Sequence, residues 1–305
     1  MNRLVAVKMA RVIAFALAST SACATELGGS LRGLGIDGFM VGAMAPPGTG
    51  NMSVVANYYE ANRLLDSDGD PVPGVSNYRL VAQGAGVKFS YVWPNVEVWG
   101  ANIESRIGMP YVAFDLNFDT PGGPRGGSAS GFGDLFLVPI ALGWHSRTYH
   151  QIVSLNLFLP SGDYGAGRND NLGRGYFGWA PAYQFSWLPT DAIEVSGTIG
   201  YLFNSRNPQT NYTSGDEFGA EYTVAYIGTG WRGGITGYVY KQTTGDKVDG
   251  HPYRDGNRGQ AVAIGPIIGI RPAPNFRVAF KWLYETAVEN RPQGNRFNVQ
   301  VFYDF

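Results

Sequence analysis

Residue types able to do covalent or metal chemistry are scarce in this 305-residue chain: it has three histidines, His145, His150 and His251, and one cysteine, Cys23. Hydrolysis by a serine needs a histidine within hydrogen-bond reach and a third polar group to orient it. Ser146 adjoins His145, but a sequence neighbour is not a spatial one, so no catalytic residue is assigned. The stretch "DSDGD" puts Asp66, Asp68 and Asp70 at alternating positions, as a calcium loop does. The bidentate glutamate about twelve positions in is missing. It reads as a plain turn, and neither a metal site nor a cofactor is expected. The stretch "LPSGDYGAGRNDNLGRGY" carries Asp163, Arg168, Asp170 and Arg174. These four suit an ion-pair cluster at a mouth or a grip on an anionic group. A salt-bridged, glycine-shaped surface loop is the plainer account.

Strands must position these residues, because the dominant pattern has period two. In "FRVAFKWLYE", Phe276, Val278, Phe280, Trp282 and Tyr284 share one face, opposite Arg277, Ala279, Lys281, Leu283 and Glu285. Further strands repeat the pattern: Phe177, Trp179, Pro181, Tyr183, Phe185 and Trp187 oppose Gln184 and Ser186, and Ile193, Val195, Ile199, Tyr201 and Phe203 oppose Glu194, Ser196 and Thr198. Phe218, Tyr222, Val224 and Tyr226 oppose Glu217, Glu221 and Thr223. At the end of the chain, Phe297, Val299, Val301, Tyr303 and the terminal Phe305 oppose Arg296, Asn298, Gln300 and Asp304. One face of each strand carries no charge in its central part.

A soluble sandwich would need a very thick core to bury an aromatic face on every strand. A membrane barrel turns that face to lipid, lines a lumen with the other and closes its edges. A charge on the lipid side costs roughly 2 to 4 kcal/mol at the midplane, which explains its absence. Trp99, Trp144, Trp187, Trp231 and Trp282 fall near strand ends or turns, where an interfacial aromatic girdle belongs. Low charge (15%), 43 glycines and a net charge of −1 agree with a turn-rich all-β protein and exclude nucleic acid as partner. After residue 25 no apolar run reaches the length of about 18 residues that a transmembrane helix needs.

The chain opens as an export signal, with Arg3, Lys8 and Arg11, an apolar run from Val12 to Ala18, then small residues. Ala22-Cys23-Ala24 fits the cleavage rule, so residues 1–24 are removed, Cys23 among them, and no disulfide remains. Lipidation of Cys23 is the weaker reading, because Thr20 stands where a bulky aliphatic is usual. Long polar links are expected at 66–76, 120–131, 160–174, 204–216, 243–259 and 287–295, alternating with short ones near 93–95, 145–149, 188–191, 228–231 and 271–275. Twelve antiparallel up-and-down strands follow over residues 51–305, with fourteen as the alternative and both termini on the short-turn, periplasmic side. Residues 96–119 are long for one strand and contain Gly108 and Pro110, so a kinked strand rising above the membrane is expected. Residues 25–50, glycine-rich and weakly patterned, are expected to cross or plug the lumen. Phe305 is expected to face lipid where the barrel closes. Asn102, Glu104, Arg106, Glu194, Glu221, Arg232, Arg277, Lys281 and Glu285 are expected to line the pore. They would pair across it and leave a constricted path.

From about residue 131 onward, "GFGDLFLVP", "LPSGDY", "NLGRGYFGWAP", "GYLFNSRNPQTNYTSGDEF", "GYVYKQTTGD", "AIGPIIG" and "ENRPQGNRF" occur in order. Together they resemble the phenol meta-pathway degradation family, whose members are also called SphA-type outer-membrane porins or transporters. The resemblance implies a Gram-negative outer-membrane barrel tied to catabolism of aromatic or other hydrophobic compounds, with a weaker likeness to fatty-acid and toluene channels. It brings no set of substrate-binding residues. The reading is a passive channel for small hydrophobic or aromatic solutes, with outer-membrane lipids and the barrel assembly machinery as partners. A structural or adhesive barrel, and less so an outer-membrane lipid hydrolase, are the alternatives.

Overall fold

A computed structural model describes residues 29–168 and 170–305; the expected signal peptide and Cys23 lie outside the described residues. Among these residues sixteen strands follow one another: β1 (Gly50–Leu64), β2 (Ser76–Val98), β3 (Ala101–Thr120), β4 (Gly123–Phe132), β5 (Leu135–His145), β6 (Tyr149–Leu159), β7 (Gly178–Thr190), β8 (Ile193–Asn204), β9 (Tyr212–Thr213), β10 (Glu217–Ile227), β11 (Trp231–Gln242), β12 (Lys247–Val248), β13 (His251–Pro252), β14 (Gln260–Ala273), β15 (Phe276–Glu289) and β16 (Pro292–Asp304). Twelve of these form a closed antiparallel barrel. β1 pairs with β16 as well as β2, and the ring continues through β3, β5, β6, β7, β8, β10, β11, β14 and β15. β9, β12 and β13 form a small sheet that ties two long loops together. Among the described residues, no helix is long and apolar enough to cross a membrane.

Alternation along each strand decides which side faces out. On β15, Phe280 is 46% exposed and its neighbour Lys281 is 5% exposed. Trp282 and Tyr284 are exposed beyond Phe280, while Leu283 and Glu285 are buried beyond Lys281. Such an apolar outer band, continuous around the barrel, suits hydrocarbon rather than water. Rings gather at its two edges. Trp179 stacks on Phe203 at 4.2 Å between centroids and Trp282 on Phe297 at 6.3 Å. At the short-turn edge, Tyr91 meets Trp93 and Tyr226 meets Trp231. The terminal Phe305 is 64% exposed on the outer face beside Tyr303. Its backbone exchanges two hydrogen bonds of 2.9 Å with Gly50. The aromatic end of the chain thus closes the barrel against the first strand.

Three expected links are corrected by the ladders. Residues 120–131 are not a long loop, because β4 pairs with β3 from Tyr111↔Phe132 to Thr120↔Gly123 and leaves only a tight turn. Glycines make this pairing possible: a Cβ on Gly126 would lie 2.1 Å from the Leu116 carbonyl oxygen. The upper half of the long, rising β3 therefore pairs with β4 and the lower half with β5. Residues 287–295 are likewise a tight hairpin, β15 ending at Glu289 and β16 starting at Pro292. Asn290 there takes a left-handed φ of 50°, which asparagine tolerates better than most residues. The turn expected at 93–95 lies instead at Trp99 and Gly100; Pro94 is absorbed in an irregular stretch of β2 between Val92 and Glu97. Above the barrel, the second edge of β4 has no strand beside it. The 160–177 loop packs there, with Asp134 accepting from Gly162 N (3.0 Å) and Arg174 N (2.8 Å).

Candidate functional site in the barrel lumen

The inner faces of the strands are polar yet buried. Glu104, Ser186, Glu194, Ser196, Glu217, Glu221, Lys281, Glu285 and Gln300 all have less than 9% exposure. The cover comes from residues 29–49, which run through the lumen from the long-loop end to the short-turn end before joining β1. Gly29 lies against the Arg174 side chain, Ser30 donates to Glu217, and the Arg32 Nη1 donates to Gly219 O at 3.1 Å. Lower down, Asp37 N donates to Glu221 at 2.8 Å, Met40 N to Glu194 at 2.6 Å and Gly42 N to the Ser186 hydroxyl at 2.9 Å. From the opposite wall, Asn298 donates to Gly35 O at 3.1 Å, Gln300 to Ile36 O and Lys281 to Asp37 O.

This segment has no regular structure, so its backbone groups need outside partners. Carboxylates can only accept. Glu194 and Glu221 therefore suit the donors of the segment, as Lys281 and two amides suit its carbonyls. Three side chains add apolar anchors. Leu34 joins Leu65, Tyr238, Tyr240 and Leu283, Leu31 packs on Phe158 and Leu202, and Met44 packs on Val138 and Ile152. At Gly42 the fit admits no side chain, since a Cβ would lie 2.5 Å from the Phe185 and Ser186 backbones.

All nine residues expected to line the pore point to this inner side, but they meet the segment or close neighbours rather than pairing freely across an open path. Glu104 binds Arg106 at 2.7 Å, and Arg106 reaches Gln184 at 2.9 Å. Glu194 pairs with Arg232, and Arg277 with Asp304 at 2.8 Å. Glu221 and Lys281 hold the two sides of Asp37. Glu285 accepts from Tyr59 at 2.7 Å, from Gly294 N at 3.0 Å and from Tyr238. Asn102 lies near Pro47, Trp93 and Glu97 at the short-turn end. Sequence reasoning missed Arg291 and Arg296, which lie over the Tyr240 and Tyr59 rings at 4.4 and 4.9 Å. Arg296 carried a positional signal, standing on the polar side of β16, whereas Arg291 lies in the turn between β15 and β16.

The loop cluster contains three of its four expected members. Arg168 bridges Asp163 (2.9 Å) and Asp170 (2.8 Å), and its hydrogen bond holds the Asp170 carboxyl below the usual range. Arg174 is not part of it, because its guanidinium turns inward to the threaded segment. Asp66 accepts from Asp68 N and Asp70 N at 3.0 Å each, the internal bonding of a plain turn. The Ser146 hydroxyl is spent on the Tyr149 backbone, while His145 and His150 contact each other.

Comparison with known proteins agrees with this architecture. No curated protein sequence matches the chain. A crystal structure of an outer membrane channel from Pseudomonas putida F1 superposes with a TM-score of 0.76 at 18% identity, over 88% of this chain and 100% of that one. The NanC porin (TM-score 0.47, 10% identity, 83% and 98% coverage) and the β domain of the Bordetella autotransporter BrkA (0.45, 12%, 85% and 100%) are more distant. The chain therefore has an outer-membrane-type barrel fold. A family model matches residues 61–301, reaching well upstream of the motifs that begin near residue 131. With most of the barrel inside that match, the chain belongs to the family described as "Putative MetA-pathway of phenol degradation".

Proposed function

We propose that the protein is an outer-membrane channel of a Gram-negative bacterium for passive uptake of small hydrophobic or aromatic compounds, closed at rest by residues 29–49. The observation that carries this reading is the threaded segment: it runs through the lumen, yet it is held by side-chain contacts rather than by a strand ladder. A net hydrogen bond contributes about 0.5 to 1.5 kcal/mol, or about 1.5 to 3 when one partner is charged. Such bonds can be exchanged one at a time, whereas a ladder breaks as a unit. The family described for phenol degradation supports an aromatic solute. The inner wall supports passive transport, because the charges on it are mixed and locally neutralised. The apolar outer band, flanked by aromatic side chains, supports placement in the outer membrane. Proteoliposomes loaded against a panel of phenols, alkylbenzenes, short fatty acids and sugars test the reading. Faster entry of the aromatic members than of sugars of equal size is expected; equal rates across the panel would overturn the assignment.

A further inference from the structure

Of the three apolar anchors of the threaded segment, Leu34 is the one seated among tyrosines. Its neighbours are Leu65, Tyr238, Tyr240, Leu283 and Val288, all buried. The segment's own backbone roofs this pocket: a Cβ on Gly35 would lie 2.7 Å from Leu283 Cδ1 and 3.2 Å from the Tyr238 ring. Leu65 follows the end of β1 and Val288 lies near the end of β15, so the pocket sits at the long-loop end, where an entering solute arrives. Two polar atoms beside it are unspent. Tyr240 is 1% exposed, yet among the described residues its hydroxyl meets no hydrogen-bond partner. The Arg291 guanidinium lies 4.4 Å over the same ring, and its Nη1 is likewise buried without a partner. Buried polar groups are rarely left in this state. The neighbouring Tyr238 hydroxyl, by contrast, is committed to Glu285.

We propose that the Leu34 pocket is the recognition site for the ring of a monocyclic phenol, and that Leu34 is its tethered stand-in when no solute is bound. The inference rests on the channel reading above and names the solute class. An apolar cavity of about 150 Å³, the kind left by one leucine, stays dry and binds benzene. The space that Leu34 takes therefore suits one aromatic ring. Small-molecule sites are mostly apolar with a few placed polar groups, and the unspent hydroxyl and Nη1 favour a ring that carries an oxygen over a bare hydrocarbon. A neutral oxygen suffices, because the carboxylates Glu217 and Glu285 already stand against the Arg291 and Arg296 guanidiniums. Ring and leucine cannot occupy the pocket together. Binding of the phenol thus favours the undocked segment, and the solute opens the path it uses.

The full-length barrel, folded in detergent micelles, is titrated calorimetrically with phenol, toluene and benzoate, with empty micelles as the blank. The wild type should take up one phenol weakly, since Leu34 holds the pocket in most molecules. Leu34→Ala should bind phenol at least about tenfold more tightly, because its pocket needs no emptying. On either background, Tyr240→Phe should lower the phenol-to-toluene affinity ratio about fivefold while toluene still binds. A role for Tyr240 in packing alone would leave that ratio unchanged. Heat-modifiable gel mobility reports that each variant is folded. Equal phenol affinity in wild type and Leu34→Ala, a ratio unchanged by Tyr240→Phe, or tighter binding of benzoate than of phenol would each overturn the proposal. Aromatic-selective entry into proteoliposomes would survive such a result, whereas pocket binding without selective entry would overturn the channel assignment alone.

Discussion

Leu34 offers a clean way to loosen the threaded segment without touching the barrel wall. Its side chain is 6% exposed and packs against Tyr238, Tyr240, Leu283 and Leu65, while its neighbour Ile36 is 43% exposed. Truncating a buried leucine to alanine removes about 2 to 5 kcal/mol. The strand ladders are untouched, so the loss falls on docking of the segment rather than on barrel closure. At about 1.4 kcal/mol per factor of ten, Leu34→Ala should shift the docked-to-undocked ratio by about 30-fold to a few thousandfold. Ile36→Ala is the internal control. It lies on the same segment, but its side chain has much less burial to lose than that of Leu34. Planar-bilayer recordings give the readout directly, as the fraction of time each inserted channel conducts. A large rise for Leu34→Ala with little change for Ile36→Ala is expected. Equal open fractions for wild type and a properly folded Leu34→Ala, or equal effects of the two variants, would refute the reasoning.

Other perturbations probe other parts of the molecule. Phe280→Arg puts a charge on the lipid face and should cost roughly 2 to 4 kcal/mol if it lies at the midplane, reducing folded yield on heat-modifiable gels. Lys281→Glu should instead leave the barrel assembled but raise its open fraction, since a carboxylate there would face both the Asp37 carbonyl and Glu221. Deleting Phe305 removes the two backbone bonds to Gly50 and the outer aromatic end; export should persist while assembled barrel declines, measured in outer-membrane fractions. In the 243–259 loop, Asp246 accepts from Gln242, Gly215 N and Asn257 at 2.6, 2.8 and 3.0 Å, and burial raises its carboxyl above the usual range. A raised carboxyl favours the folded loop most below its unfolded pKa and loses that contribution as pH rises through the folded value. Protease cutting in this loop should therefore slow as the medium is acidified, and Asp246→Asn should flatten that dependence.

The barrel was legible because lipid imposes a simple rule on every strand. On β15 and β16 the outward aromatic positions were readable from period two alone, and so was the facing of Phe305. Where the rule lapses, reading failed for identifiable reasons. Apart from Phe132 at its end, β4 lacks the β-branched and aromatic residues that mark strands, yet glycine lets its backbone lie close to β3. The hairpin at Asn290 and Arg291 was hidden by polar residues that continue a strand instead of leaving it. The inward charges were recognised as a set, but their partners were not. A backbone segment nearly 200 residues away in sequence answers Glu217 and Glu221, and period-two patterning says nothing about such contacts. Arg174 was grouped with its loop neighbours by proximity in sequence, whereas its side chain turns to Gly29.

The central claim is that residues 29–49 hold the channel shut. Deleting residues 29–44 while keeping residues 1–28 and the turn at Pro46 to Thr49 leaves every barrel ladder intact. Single-channel conductance of this variant, compared with the full chain in the same bilayer, is the direct test. The deletion should give a larger, steadily open conductance with folded yield retained, because the lumen loses its occupant while the wall keeps its pairing. A folded deletion variant with the conductance and open fraction of the full chain would contradict the account.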